Sequence, residues 1–142
     1  MVNDALLPQL FLSEPAGHFA LGHVFNSVDG FAGPAAARNG IGYWRCDISA
    51  GDRLTWSKEV YELFDIPMGS QVERDQAVAR YTEHSKGVLE RLRAFAINHK
   101  CGFILDAAIA AGSTGNQWIR LIAFPMMEAG RVVGLQGLKR AL

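Results

Sequence analysis

The order of the secondary-structure signals between Gly40 and Lys139 is the feature that most restricts the fold of this chain. Residues 43–48 alternate bulky and polar side chains, as a strand does, and residues 49–52 supply turn chemistry before a returning strand at 53–56. A helical stretch comes next. Three further strands follow it, at about 102–111, 116–127 and 131–139, joined by Gly-containing turns. This order predicts an α+β fold, a five-stranded antiparallel sheet with helices packed on one face, which encloses a small internal cavity.

Two amphipathic helices are predicted between the hairpin and the last three strands. Ser57 stands at the N-cap of a short helix that ends before Pro67, and a longer helix covers about residues 85–98. The polar residues between them predict a loop and a short helix around 75–81. The apolar side chains at helical spacing are Val60, Tyr61 and Phe64 in the short helix and Val88, Leu89, Leu92, Phe95 and Ala96 in the longer one.

Residues 1–39 form an N-terminal segment that differs from the domain predicted at residues 40–140. They are rich in Ala, Gly, Phe and Leu, and Arg38 is the first Lys or Arg in the chain. Helical spacing of apolar residues predicts a partly helical segment, with a short helix around 19–28. So apolar a segment has little charge to keep it in water, and we expect it to pack on the sheet or on a dimer partner.

The strand at about 116–127 is apolar on both faces. Ile119, Leu121 and Ala123 share one face, and Trp118, Ile122 and Phe124 share the other. A face open to water would not carry Trp, Ile and Phe together, so we expect the outer face to be covered. The N-terminal segment, a second copy of the chain, or both would cover it, and a homodimer through this face is therefore expected.

Composition argues against several classes of function. The chain has 142 residues, enough for one domain with a sizeable core, and 49% of them are hydrophobic against 20% charged. The formal net charge is zero, which argues against direct nucleic-acid binding because phosphate recognition needs a clustered excess of Lys and Arg. No apolar run is long enough to span a membrane, and no basic stretch opens a signal peptide. Cys46 and Cys101 fit no disulfide framework, so we expect a reduced, cytoplasmic protein.

The segment from Gly40 to Leu138 resembles the PAS domain family, in particular the subgroup found in bacterial sensor kinases and related signalling proteins. Its first strand, Gly40-Ile-Gly-Tyr-Trp-Arg-Cys-Asp-Ile, is similar to the family's Gly-x-Gly-x-Trp-x-x-Asp opening. The other matching segments are Leu54-Thr-Trp-Ser and Val60-Tyr-Glu-Leu-Phe-Asp-Ile, which resemble the second strand and first helix, and Gln117-Trp-Ile-Arg and Gly130-Arg-Val-Val-Gly-Leu-Gln-Gly, which resemble the last two strands.

Three segments depart from the family pattern. Tyr81-Thr-Glu-His-Ser replaces a His-Pro-Glu-Asp-like segment, and a Gly112-Ser-Thr-Gly-Asn loop replaces an Asp-Gly turn. Lys139-Arg-Ala-Leu stands where the family usually has an Asp-Ile-Thr connector to an output helix. No family role is therefore carried over to these three segments.

The resemblance implies a sensory module of signal transduction, of the kind used in two-component systems. Such a module binds a small ligand in its cavity, mediates dimerisation, or does both. The implied effector is a histidine kinase, a diguanylate cyclase or a transcription regulator beyond Leu142. A pure dimerisation module with a filled core is the alternative, and a small cavity-fold enzyme is a third interpretation.

The candidate cavity lies between the predicted sheet and helices. Its lining would consist of Trp44, Cys46, Tyr61, Phe64, Val88, Leu92, Phe95, Phe103, Leu105, Ala107, Ile119 and Leu121. Ala107 is small and would leave room for a ligand, although the same residues could equally form an ordinary core. The sequence does not identify the ligand, and a small organic molecule is the expected class.

The sequence offers weak support for known cofactors of the family. Where haem-binding members place an iron-ligating His on the long helix, this chain has Leu89, which cannot bind iron. The Asn-Cys-Arg-Phe-Leu motif of flavin photoreceptors is absent, which leaves non-covalent flavin binding open. His18 and His23 have no nearby Cys and only Asp29 as a carboxylate, so no metal site is predicted.

No catalytic residue is predicted. The chain contains none of the GxSxG, HExxH, P-loop or GxGxxG motifs. A small cavity-fold enzyme would need a buried acid, but Asp47 and Asp106 alternate with core-facing residues and are expected to point outward. The sequence therefore favours a regulatory domain over an enzyme.

Overall fold

The structure is a computed structural model that describes residues 19–26, 31–110 and 115–142. An antiparallel sheet forms one layer, and three α-helices pack on one of its faces. The strands are β1 (His23–Phe25), β2 (Ile41–Asp47), β3 (Arg53–Trp56), β4 (Gly102–Ala110), β5 (Asn116–Glu128) and β6 (Arg131–Ala141). The helices are α1 (Lys58–Phe64), α2 (Arg74–Val78) and α3 (Glu83–His99). The order across the sheet is β1-β4-β5-β6-β2-β3.

The sheet has six strands instead of the predicted five because the N-terminal segment adds β1 to the edge of β4. The prediction of a helix around 19–28 is wrong for the residues of that range that the structure describes. Gly22 has a φ of +80°, which interrupts a right-handed helix, and His23–Phe25 pairs with residues 102–104 instead. This pairing satisfies backbone groups on an otherwise open sheet edge. Val28 of the predicted helix lies outside the described residues.

The remaining strands and helices agree with the sequence pattern to within a few residues. Ser57 occupies the predicted N-cap of α1, but its hydroxyl accepts a hydrogen bond from the Tyr43 N–H (2.9 Å) and not from the helix. This contact joins the start of α1 to β2. The longer helix, α3, begins two residues before its predicted start, because Thr82 caps it by accepting from the Ser85 N–H at 3.4 Å.

The outer face of the sheet is covered by the chain's own N-terminal residues. Phe19, Phe25 and Phe31 pack on the apolar side chains that β4, β5 and β6 direct outward. Phe31 stacks on Phe124 with ring centroids 4.5 Å apart. The double-sided burial predicted for β5 is present, although Trp118 at its start is 40% exposed.

A buried ion pair fixes this N-terminal cover to the sheet. Arg120 on β5 donates to Asp106 on β4 (Nε to Oδ1, 2.6 Å), and both side chains are fully buried. The Phe19 N–H donates to Asp106 Oδ2 at 3.2 Å, and the Phe19 ring lies 5.0 Å from the Arg120 guanidinium. Asp106 thus points away from the helices as predicted, but into a covered layer instead of into water.

Candidate functional site

A cavity of about 60 Å³ lies between the inner face of the sheet and the helices. Strands β2, β3, β4, β5 and β6 form one wall, and residues 74–93 form the other. Most of the wall is apolar, with Trp44, Leu121 and Leu135 among the contributors. Its polar contributors are Cys46, Arg74, Tyr81, Arg93 and Lys139.

The structure brings four of the twelve predicted lining residues to this cavity, namely Trp44, Cys46, Phe103 and Leu121. Five others belong to the same buried core but not to the cavity wall: Phe64, Val88, Leu105, Ala107 and Ile119. Ala107 is fully buried opposite Ile119, so its small size serves strand packing.

Three predicted lining residues lie elsewhere. The Tyr61 hydroxyl donates to the Ser70 carbonyl (3.0 Å) beside a separate surface depression of about 250 Å³. Leu92 packs against the core edge and contacts the N-terminal segment at Gly22. Phe95 is 42% exposed and stacks on His99, because the fully buried Ala96 is the residue of that turn that faces the sheet.

Lys139 is the main residue that the sequence analysis missed. It is only 8% exposed and lies on β6 opposite Leu121, with its side chain on the inner face. Its Nζ lies over the rings of Trp44 (5.2 Å to the centroid), Phe64 (4.8 Å) and Tyr81 (5.7 Å). A signal was present, since Lys139 follows Leu135 and Gly137 at the two-residue spacing of one strand face.

Burial governs the charge of Lys139. Within the described ranges, its ammonium has no hydrogen-bond acceptor and no carboxylate partner. Its pKa is lowered from 10.5 to about 7, mainly because burial removes the ammonium from water; Cys46 raises the pKa and the positive charge of Arg74 lowers it, both to a smaller extent. The three aromatic faces are the compensation that this charge receives.

Tyr81 supplies a second unsatisfied group to the same cavity. Its hydroxyl oxygen is fully buried and has no hydrogen-bond partner among the residues that the structure describes. Burial raises its pKa, so the hydroxyl keeps its proton and can donate it. The backbone here is held on β4, because the Thr82 N–H donates to the Ala108 carbonyl (3.0 Å) and the Ala110 N–H to the Arg80 carbonyl (2.8 Å).

The two arginines of the cavity wall are already paired with carboxylates. Arg74 binds Glu90 of α3 through both of its terminal nitrogens, and Arg93 Nη2 lies 2.9 Å from Asp52 Oδ1. The Cys46 thiol donates weakly to the same Asp52 atom at 3.8 Å. The Arg74 and Arg93 side chains are 17% and 21% exposed, so the cavity reaches the surface beside them.

The histidines of the described ranges lie away from the cavity. His84 and His99 are exposed, His99 contacts the Phe95 carbonyl (3.1 Å), and His23 lies on the edge strand β1. His18 lies outside the described residues. Among the residues described, no cluster of three or more His, Cys, Asp or Glu could hold a metal ion. None of their helices has the length and apolar character needed to cross a membrane.

Comparison with known proteins identifies the fold. No family model matches the sequence, and no curated protein matches it either. Solved structures do match. The N-terminal domain of a diguanylate cyclase with PAS/PAC sensor from Marinobacter aquaeolei has a TM-score of 0.64 at 14% identity, over 71% of this chain and 94% of that one.

Two further solved structures are similar to this chain in fold. The PAS domain of a protein from Colwellia psychrerythraea has a TM-score of 0.59 at 12% identity, over 72% of this chain and 86% of that one. An RNA-binding Light-Oxygen-Voltage receptor has a TM-score of 0.64 at 12% identity, over 72% of this chain but only 29% of the receptor chain. These likenesses confirm the fold that the sequence motifs predicted: the chain is a PAS-fold domain.

Proposed function

We propose that this chain is the sensory module of a bacterial signalling protein and that it binds a small molecule in the cavity beneath the sheet. The observation that carries the proposal is the pair formed by Lys139 and Tyr81. Buried polar groups in proteins are nearly always hydrogen-bonded, and groups without a partner in a cavity commonly receive one from a ligand or from water. Two such groups on one small cavity favour a binding site over a filled core.

The proposed signal passes through β6. Lys139 lies near the C-terminal end of this strand, which pairs with both β5 and β2. A ligand that draws the Lys139 ammonium away from its three rings favours one packing of strand and helices over another. The shift is limited by the difference in ligand affinity between the two arrangements. A histidine kinase, a diguanylate cyclase or a transcription regulator joined to this domain would read it.

The proposal makes this chain a regulatory domain, with no catalytic role of its own. The free cysteines Cys46 and Cys101, both buried, support a reducing cytoplasmic setting. We retain the division into an N-terminal segment at 1–39 and a sensor domain at 40–140 as part of the proposal, since all three described helices and β2 to β6, apart from the last residue of β6, fall in the second range.

A cavity-filling variant tests the proposed function. Ala77 of α2 lines the cavity and is 6% exposed, whereas Ala79 just after the helix is exposed. Ligand-observed NMR would screen aliphatic fragments of about five non-hydrogen atoms or fewer, a size set by the cavity. We expect Ala77→Leu to abolish binding that the wild type and the matched control Ala79→Leu retain. Fragment binding that Ala77→Leu leaves intact, or no binding at all, would contradict the proposal.

A dimerisation role is the second candidate. Trp118 on the outer face is 40% exposed and Leu21 is 76% exposed, although most of that face is covered by the chain's own phenylalanines. If the chain is a homodimer through this face, sedimentation velocity will show a dimer of the wild type and a monomer of Trp118→Arg. An equal sedimentation coefficient for both proteins would exclude this interface.

A further inference from the structure

Each charged side chain on the cavity wall has a carboxylate partner except Lys139, among the residues that the structure describes. Arg74 and Arg93 at its opening are paired with Glu90 and Asp52 respectively, so each pair is neutral. Lys139 has no carboxylate partner among the described residues. When Lys139 is protonated, the cavity therefore carries one positive charge that no described carboxylate compensates, and that charge lies at its inner wall.

A ligand that satisfies this site needs one negative charge and a hydrogen-bond acceptor. The ammonium of Lys139 offers three N–H donors, and the Tyr81 hydroxyl offers one O–H that has no acceptor among the described residues. Both side chains line the same cavity and both are more than nine-tenths buried. A carboxylate provides two acceptor oxygens on one centre and can receive from both donors, and charge-assisted hydrogen bonds of this kind are strong.

The size of the cavity limits the rest of the ligand. An engineered cavity of roughly 150 Å³ in another protein holds one benzene molecule. The volume of about 60 Å³ found here is less than half of that. The remaining wall near Lys139 is apolar, formed by side chains such as Trp44, Leu121 and Leu135. A short alkyl group fits these walls, and an aromatic ring or a second carboxylate does not.

We propose that this cavity binds a small aliphatic monocarboxylate of about two or three carbons, whose carboxylate pairs with the Lys139 ammonium and accepts a hydrogen bond from the Tyr81 hydroxyl. This inference rests on the proposed function and names the ligand class of the same site. The alkyl group of the ligand contacts Trp44, Leu121 and Leu135.

The site makes binding depend on pH. The other titratable groups on the cavity are Cys46 from β2, Arg74 from α2, Tyr81 from the segment before α3 and Arg93 from α3; the carboxylates beside them, Glu90 and Asp52, are bound by Arg74 and Arg93 respectively. None of them supplies free negative charge, since burial raises the pKa of both the Cys46 thiol and the Tyr81 phenol. A bound carboxylate needs the protonated ammonium. Its affinity therefore falls about tenfold per pH unit once the pH exceeds the pKa of Lys139 in the free protein.

The test is an NMR titration of the full chain with propionate as the probe, with propionamide and 1-propanol as neutral probes of similar shape. At pH 6 we expect propionate to bind at least about tenfold more tightly than either neutral probe, and its affinity to fall roughly a hundredfold by pH 9. Lys139→Met should lose the preference for propionate, and Tyr81→Phe should weaken propionate binding severalfold. Lys86→Met, which removes an exposed lysine of α3, is the matched control and should bind like the wild type.

The outcomes separate this inference from the proposed function. If neutral fragments bind and Ala77→Leu removes their binding, while propionate has no advantage, the cavity is a ligand site and the carboxylate assignment is wrong. If propionate binds equally to wild type and Lys139→Met, the assignment of Lys139 as the partner of the carboxylate is wrong. If neither propionate nor any fragment binds, both proposals fail. Benzoate binding as tightly as propionate would overturn the size limit.

Discussion

The burial of an uncompensated ammonium at Lys139 predicts a protein whose stability rises with pH across a defined range. Below pH 7 the ammonium is charged in both the folded and the unfolded chain, and the folded state bears the full cost of burying it. Between pH 7 and 10.5 the unfolded chain binds this proton and the folded protein does not, so the free energy of unfolding increases with pH. Above 10.5 the side chain is neutral in both states and the cost disappears.

The magnitude follows from the pKa. Each pH unit between the folded and unfolded pKa corresponds to about 1.4 kcal/mol. Lowering the pKa from 10.5 to about 7 therefore corresponds to a destabilisation of roughly 5 kcal/mol at pH 6, and of roughly 2 kcal/mol at pH 9. Lys139→Met removes this cost and keeps a side chain of similar length against the three rings. We expect the variant to be about 3–5 kcal/mol more stable than the wild type at pH 6.

Urea denaturation of ligand-free wild type and Lys139→Met at pH 6, 7.5 and 9 measures the effect. The decisive quantity is the stability difference between the two proteins, in which the titrations of the cysteines and of Tyr43 largely cancel. The difference should shrink by about 3 kcal/mol between pH 6 and 9. Lys86→Met should show no such trend. A difference that is constant with pH, or a variant less stable than the wild type at pH 6, would refute the reasoning.

Four further substitutions are expected to change stability, and each effect is measurable by urea denaturation. Tyr81→Phe removes a buried hydroxyl that has no partner within the described residues, and should raise the free energy of unfolding by about 1 kcal/mol; a loss of similar size would mean that the hydroxyl is satisfied. Arg120→Met leaves the buried Asp106 carboxylate without its cation and should cost about 3–5 kcal/mol, whereas a cost below about 1 kcal/mol would show that the pair is solvated. Gly137→Ala would place a Cβ 1.7 Å from a backbone carbonyl oxygen of β5 and should lower the free energy of unfolding by roughly 3 kcal/mol. Gly87→Ala inside α3 meets no such contact and should raise it by about 0.5–1 kcal/mol. Similar effects at the two glycines would contradict the register of β5 and β6.

The sheet was predictable from the sequence because two-residue periodicity and turn residues are local signals. The strand at 116–127 carries apolar side chains on both faces, and this pattern alone predicted that its outer face is covered. The strand β1 could not be predicted in this way. It has three residues, and its extended backbone depends on the free edge of β4, which lies far away in the sequence.

The candidate site was predictable only in its apolar part. Trp44, Cys46, Phe103 and Leu121 follow from strand periodicity, and Lys139 would have followed from the same rule. The partners of the polar side chains could not be predicted in this way. Whether Arg74 meets Glu90, and whether the Tyr81 hydroxyl finds an acceptor, depends on how α2 and α3 dock on the sheet. No local pattern records these contacts.

The measurement that tests the account most directly is the pKa of Lys139 itself, read from the side-chain NMR signals of selectively labelled lysine with and without propionate. The account predicts a pKa of about 7 in the free protein and a higher value when propionate is bound, because the carboxylate stabilises the ammonium. A pKa near 10.5 that propionate does not change would contradict it, because Lys139 would then be neither buried without a counter-charge nor the anchor of an anionic ligand.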